Sequence, residues 1–157
     1  MFLEKRKSAY DNIKDFLTDD LPQIILGAEV HYYPGISRMA DLKQLRVDNT
    51  KLLLLELPVS RWTEYTIREL VELSSDTDIK IVLAHVERYY GMQPYEIFEQ
   101  LSRNGILMQV NASSFCDFSL KRKVLKLLCS GMVQFIGSDC HNLTTRPPNM
   151  DKAFKFT

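Results

Sequence analysis

The chain has 157 residues, 45% hydrophobic and 25% charged, with 20 Lys plus Arg against 20 Asp plus Glu. That length supports one domain with its own core, and the balanced charge offers no basic footprint for a nucleic-acid partner. No apolar run reaches the roughly 18 residues of a membrane span, the N-terminus does not read as a signal peptide, and three cysteines at 116, 129 and 140 fit neither a disulfide framework nor a zinc ribbon, so a reducing, cytoplasmic setting is expected.

In chain order, Leu3, Tyr10, Ile13, Phe16 and Leu17 recur at helical spacing and predict a helix over 3–17, ended before Pro22. Residues 23–31 read as a strand finishing in polar groups, and 38–47 as a short helix through Met39, Leu42 and Leu45. A second apolar strand runs from Lys51 to Leu57 and stops at Pro58. Ser60 is placed to cap a helix over 61–74 whose core face is Trp62, Tyr65, Ile67, Leu70 and Leu73. Residues 78–85 form a third strand; Pro94 opens a helix that Gly105 closes; 106–111 form a fourth strand. A helix over 119–130, capped by Gly131, turns Leu120, Val124, Leu127 and Leu128 inward. The fifth strand begins at Val133, and the last residues start another helix. The strands are continuous apolar runs alternating with helices, the pattern of an α/β protein with a parallel sheet.

The strand ends carry the chemistry. Four of the five predicted strands close on Glu29, Glu56, His85 and the pair Asp139/His141. In α/β barrels that edge builds the active site. On an extended chain, Asp139 and His141 face one side and Cys140 the other. Carboxylates with imidazoles suit Zn, Mn or Fe, and several carboxylates allow a bridged multinuclear site. Arg88 follows His85 by three positions, and Arg146 lies in the loop after His141. Guanidinium matches phosphate oxygens bidentately. Metals with arginines at one mouth point to phosphoester hydrolysis, with attack by a metal-bound hydroxide.

These segments, Gly27-Ala28-Glu29, Leu55-Glu56-Leu57-Pro58, Ala84-His85-Val86-Glu87-Arg88 and Gly137-Ser138-Asp139-Cys140-His141-Asn142 with Arg146, resemble the bacterial protein-tyrosine phosphatases of the polymerase-and-histidinol-phosphatase (PHP) superfamily. Those manganese-dependent enzymes are associated with capsule and exopolysaccharide synthesis. The resemblance covers nearly the whole chain. It implies a single PHP-type domain over 1–157 and a distorted (β/α)7 TIM-like barrel with a trinuclear Mn2+ site. By that resemblance, Glu29 would bridge two metals, Glu56 and His85 would complete one, Asp139 would bind a second and His141 a third. Arg88 and Arg146 would hold the phosphate. The substrate would be a phosphotyrosine protein, typically a bacterial tyrosine kinase controlling polysaccharide polymerisation.

The chain also departs from the pattern. The family opens on a His-x-His strand, whereas here no histidine precedes Glu29. The expectation is therefore an incomplete barrel lacking the first two strand units and the end of the last helix, with exposed parallel edges and marginal stability. Three alternatives stand beside it. One is a PHP fragment that binds metal without turnover. Another is a small-molecule phosphatase acting on a substrate like histidinol phosphate. The third is a cysteine-dependent phosphatase using Cys140 and Arg146, whose five-residue separation matches that class. Against it, the loop between them contains no glycine, and Asp139 beside the thiol disfavours the thiolate.

Overall fold

A computed structural model describes residues 2–155. Five strands, β1 (Glu29–His31), β2 (Leu52–Glu56), β3 (Lys80–Leu83), β4 (Leu107–Asn111) and β5 (Phe135–Gly137), lie side by side in chain order, every neighbouring pair parallel. Because the order never reverses, each strand delivers its C-terminal end beside that of the next. The register sets His31 opposite Glu56 and Leu55 opposite Leu83, so the residues that follow emerge together. Five α-helices are described: α1 (Phe2–Asp11), α2 (Glu64–Ser74), α3 (Tyr95–Arg103), α4 (Phe118–Cys129) and α5 (Met150–Phe154). Leu53, Leu55, Ile81, Leu83, Met108 and Val110 from the sheet join Leu70, Phe98, Leu101, Val124 and Leu127 from α2, α3 and α4 in one buried cluster. Among the described residues, no helix is long and apolar enough to cross a membrane.

The α/β reading and the five strands agree with the structure; several boundaries do not. The expected strand over 23–31 shrinks to Glu29–His31. The Val47–Asp48 turn lies against Leu26 and Gly27 instead: Asp48 N–H donates to Leu26 O (2.7 Å), and a Cβ on Gly27 would meet Val47 Cγ2 at 3.0 Å. The expected helix over 38–47 is two 3-10 turns, Ile36–Arg38 and Leu42–Leu45. The first helix stops at Asp11, with a 3-10 turn at Lys14–Phe16, and none of its described residues is buried. Arg6 ties it to Asp48 (3.3 Å).

Helix α2 keeps the expected Leu70 and Leu73 in the core, with Trp62 buried just before it and Ile67 packed against the cluster, but the rest of its expected start and inner face differ. Its cap is Thr63, whose Oγ1 accepts from Thr66 N–H (3.2 Å), not Ser60. Its inner stripe is Thr66, Glu69, Leu70 and Leu73, while Tyr65 is 50% exposed. Two polar residues occupy core positions because the loop after β1 needs them. Glu69 Oε2 accepts from Tyr32 O–H (2.8 Å) and Gly35 N–H (3.1 Å), and Oε1 accepts from Ser37 N–H (3.1 Å) and Oγ–H (2.8 Å). Burial alone would raise the Glu69 pKa, but the donors from Tyr32, Ser37 and Gly35 together outweigh it and hold the carboxyl below its ordinary value.

Glu69 therefore releases its proton more readily folded than unfolded, so its contribution to stability is present above its ordinary pKa of 4.5 and fades as pH falls below it. Glu69→Ala removes the acceptor of four hydrogen bonds from Tyr32, Gly35 and Ser37 at once. It is expected to destabilise the fold by about 2–4 kcal/mol at neutral pH, measured by denaturant unfolding, with the loss shrinking as the pH is lowered below that value.

Candidate metal centre

Glu29 opens β1, Glu56 closes β2 and His85 follows β3 by two residues. His85 Nε2 lies 3.0 Å from Glu29 Oε1 and 3.1 Å from Glu56 Oε1. Donor atoms of the three residues fall within 4.8 Å of one another. A cation about 2.1 Å from each donor requires adjacent donors about 3 Å apart at right angles. The His85–carboxylate separations match one such edge each, so the residues fit a divalent cation. His85 is only 2% exposed, whereas the carboxylates open toward solvent. The hydrogen bond with His85 is the largest influence on Glu29 and draws its pKa down; partial burial opposes, and the charges of His85 and Arg88 assist. His31, left out of the expected ligand set, places Nδ1 3.3 Å from Glu56 Oε2.

His85 is held in an unusual backbone conformation. Its φ of 36° and ψ of 53° lie in the left-handed region, which costs a non-glycine residue on the order of 1 kcal/mol or more. The bend turns the chain from β3 into the 3-10 turn Val86–Arg88, bringing Arg88 to the same mouth. Gln109 on β4 fastens it: Oε1 accepts from His85 N–H (2.7 Å), while Nε2 donates to Val110 O (2.8 Å) and Asn111 Oδ1 (3.0 Å). Gly137 makes room, since a Cβ there would stand 2.6 Å from Gln109 Nε2. On the other side of the imidazole, Tyr89 Oη lies 3.5 Å from His85 Nδ1 and accepts from Leu57 N–H (2.9 Å). Burial pushes the Tyr89 phenol far above its ordinary pKa and keeps it neutral.

Asp139 and His141 form an adjoining group outside the three-residue cluster. Asp139 Oδ2 accepts from Arg88 Nη2 (2.7 Å), Asn111 Nδ2 (3.0 Å) and Arg146 Nη2. Arg88 links the groups, with Nη1 3.5 Å from Glu56 Oε1. His141 Nδ1 sits 3.0 Å from Asp139 O, and Nε2 3.2 Å from Arg146 Nη1. The two residues do converge, but not by strand alternation: β5 ends at Gly137 and Asp139 has a left-handed φ of 51°. A turn, not an extended chain, brings them together. Glu87 does not pair with the neighbouring Arg88; it is buried, accepts from Asn111 N–H (3.3 Å), and has its pKa raised by that burial.

The same loop removes the cysteine mechanism. Asn142 Oδ1 accepts from the N–H groups of Thr144 (2.9 Å), Thr145 (2.7 Å) and Arg146 (3.1 Å). A cysteine-phosphatase loop would turn such N–H groups toward phosphate; here Asn142 already occupies them. Cys140 Sγ turns to Asn142 O (3.6 Å).

The supporting roles of Gln109, Asn111 and Tyr89 escaped the sequence reading, in which Gly137 figures only as the first residue of a motif. One signal was present: Gln109 and Asn111 alternate with Val110 at the end of an apolar strand, so both polar side chains share a face. Gln109→Ala is expected to weaken Mn2+ binding by about tenfold, measured by titration calorimetry, because the His85 main chain loses its acceptor. Gly137→Ala is expected to act in the same direction by displacing the Gln109 amide. Unchanged affinity in both variants would contradict this role.

Residues 2–157 match the model of a family described as capsular polysaccharide synthesis, CpsB/CapC. The tyrosine-protein phosphatase CpsB of Streptococcus agalactiae serotype V is 29% identical over 144 residues, covering 85% of this chain and 58% of that protein. The putative tyrosine-protein phosphatase CapC of Staphylococcus aureus is 32% identical over 136 residues, 83% of this chain and 53% of its own. A chain from the crystal structures of YwqE from Bacillus subtilis and CpsB from Streptococcus pneumoniae, described as unique metal-dependent tyrosine phosphatases, superposes with a TM-score of 0.79 at 25% identity over 96% of this chain and 63% of that chain. The present chain thus spans somewhat more than half the length of the curated relatives, 58% and 53% in these two cases. On the match of residues 2–157, the chain belongs to the CpsB/CapC family of capsular polysaccharide synthesis.

Proposed function

We propose that this chain carries the cation-binding and phosphate-binding groups of a metal-dependent protein-tyrosine phosphatase acting in polysaccharide synthesis. The observation behind the reading is the meeting of Glu29, Glu56 and His85 beside two arginines at one sheet edge. Glu29, Glu56 and His85 hold one divalent cation, Mn2+ being preferred for a carboxylate-rich set with one imidazole, with Zn and Fe as substitutes. Bound there, the cation supplies Lewis acidity, polarising a phosphoryl oxygen and acidifying water. Asp139 and His141, whose Oδ1 and Nδ1 lie 3.5 Å apart, are assigned to a second and a third cation respectively.

The protein's own groups do the rest. Arg88 and Arg146 grip the phosphate and offset its developing charge. Asp139 draws both guanidinium groups to one point and so orients them. Tyr89 holds the His85 imidazole from its far side, and Gln109 holds its main chain. The consecutive parallel strands are read as part of a (β/α)7 PHP-type barrel within a single domain over 1–157. The substrate class is a phosphotyrosine protein such as a bacterial tyrosine kinase, and the setting cytoplasmic, in keeping with three free cysteines.

One observation favours a second reading, a domain that binds metal without turnover: Asp139 Oδ2 is already shared among Arg88, Arg146 and Asn111. Turnover of p-nitrophenyl phosphate by the Mn2+-loaded chain separates the two. The phosphatase reading expects activity that a chelator abolishes and Mn2+ restores, that falls at least about a hundredfold in His85→Ala and Asp139→Ala, and that survives Cys140→Ser. Stoichiometric metal binding without turnover would select the second reading. Chelator-insensitive turnover would overturn the metal mechanism.

A further inference from the structure

Two cavities meet at the arginine pair. The smaller, about 290 Å³, is walled by Glu29, Glu56 and His141. The larger, about 470 Å³, extends past Ser113, Ser114, Leu120 and Asn149. They share Arg88, Asp139 and Arg146 and no other lining residue. In phosphoryl transfer the attacking and leaving oxygens lie roughly in line on opposite sides of phosphorus. A phosphate gripped by Arg88 and Arg146 is approached from the carboxylate side, where the cation is held. Its ester oxygen, with everything attached to it, then points into the larger cavity.

We propose that this larger cavity is the leaving-group subsite, seating the tyrosyl ring together with the adjoining main chain of a phosphopeptide; the assignment rests on the phosphatase reading above. Its volume lies in the range of pockets that bury drug-sized ligands, beyond the need of a lone phenyl ring. Leu120 and Pro147 supply apolar wall. Asn149 Oδ1 is buried with no hydrogen-bond partner among the described residues. An orphaned buried acceptor is costly, and a peptide N–H satisfies it. Ser113 adds a hydroxyl that either donates or accepts. Phe118 (94% exposed) and Leu143 (84% exposed) stand next to lining residue Asp117 and two positions from Thr145, apolar surface for the flanking peptide. A small free phosphate ester uses the arginines but little of this wall.

The test compares two ligands on the full Mn2+-loaded chain by titration calorimetry. One is inorganic phosphate. The other is a peptide carrying a difluoromethylphosphonate analogue of phosphotyrosine, which is not hydrolysed. Ser113→Trp fills the cavity from an exposed position, and Asn149→Ala removes only the acceptor. The expected result is that both variants bind phosphate like the wild type, while Ser113→Trp weakens the peptide about tenfold or more and Asn149→Ala severalfold. Unchanged peptide affinity in both variants, or equal losses for peptide and phosphate, would overturn the subsite. Wild-type protein that binds phosphate but not the peptide would overturn the subsite alone. Wild-type protein that binds neither would overturn the arginine assignment and the subsite with it.

Discussion

A single imidazole pressed between two carboxylates organises this structure. His85 Nε2 sits within 3.1 Å of an oxygen from Glu29 and from Glu56, while its own ring is buried. Two carboxylates so close repel each other unless a positive charge lies among them. A protonated imidazole relieves part of that cost; a divalent cation relieves more and uses all three donors. The parallel sheet makes the meeting possible: Glu56 ends β2, His85 follows β3, and Glu29 reaches them from the first residue of a β1 only three residues long. Arg88 then extends the charge network from Glu56 to Asp139, and Arg146 closes it.

The second constraint is backbone geometry. Both His85 and Asp139 occupy left-handed conformations that ordinary side chains avoid. Strain of about 1–3 kcal/mol per residue persists only where surrounding contacts over-determine it. Here Gln109 and Asn111, two positions apart on β4, serve that purpose: one accepts from the His85 main chain, the other donates to the Asp139 side chain. They are also bonded to each other. One strand thus sets the spacing between the cation cluster and the arginine cluster, and the absence of a side chain at Gly137 leaves room for it.

Much of this was legible in the sequence, for physical reasons. Leu52–Leu55 and Ile81–Ala84 are apolar runs too hydrophobic for a half-exposed strand, so a covered parallel sheet followed. Glu56 and His85 stood out because a charged or titratable group ends each run. What stayed hidden depends on contacts distant in the chain. Nothing local to Glu69 shows that it anchors the loop of Tyr32 and Ser37, so the expected core face of α2 holds at Trp62, Ile67, Leu70 and Leu73 but includes Tyr65 and omits Thr66 and Glu69. Residues 23–28 carry strand-like composition, but Asp48 claims the hydrogen bond at Leu26. The Cys140–Arg146 spacing suggested an anion loop until Asn142 proved to hold the N–H groups itself. Spacing records which groups are available; only the fold shows which are already engaged.

The proposed chemistry stands or falls on whether Glu29, Glu56 and His85 together hold a divalent cation. Crystals of the full chain grown with Mn2+, with diffraction recorded at the manganese absorption edge, test it most directly. An anomalous peak is expected about 2.1 Å from His85 Nε2 and from one oxygen of each carboxylate. A manganese peak elsewhere, with His85 still bonded directly to Glu29 and Glu56, would contradict it.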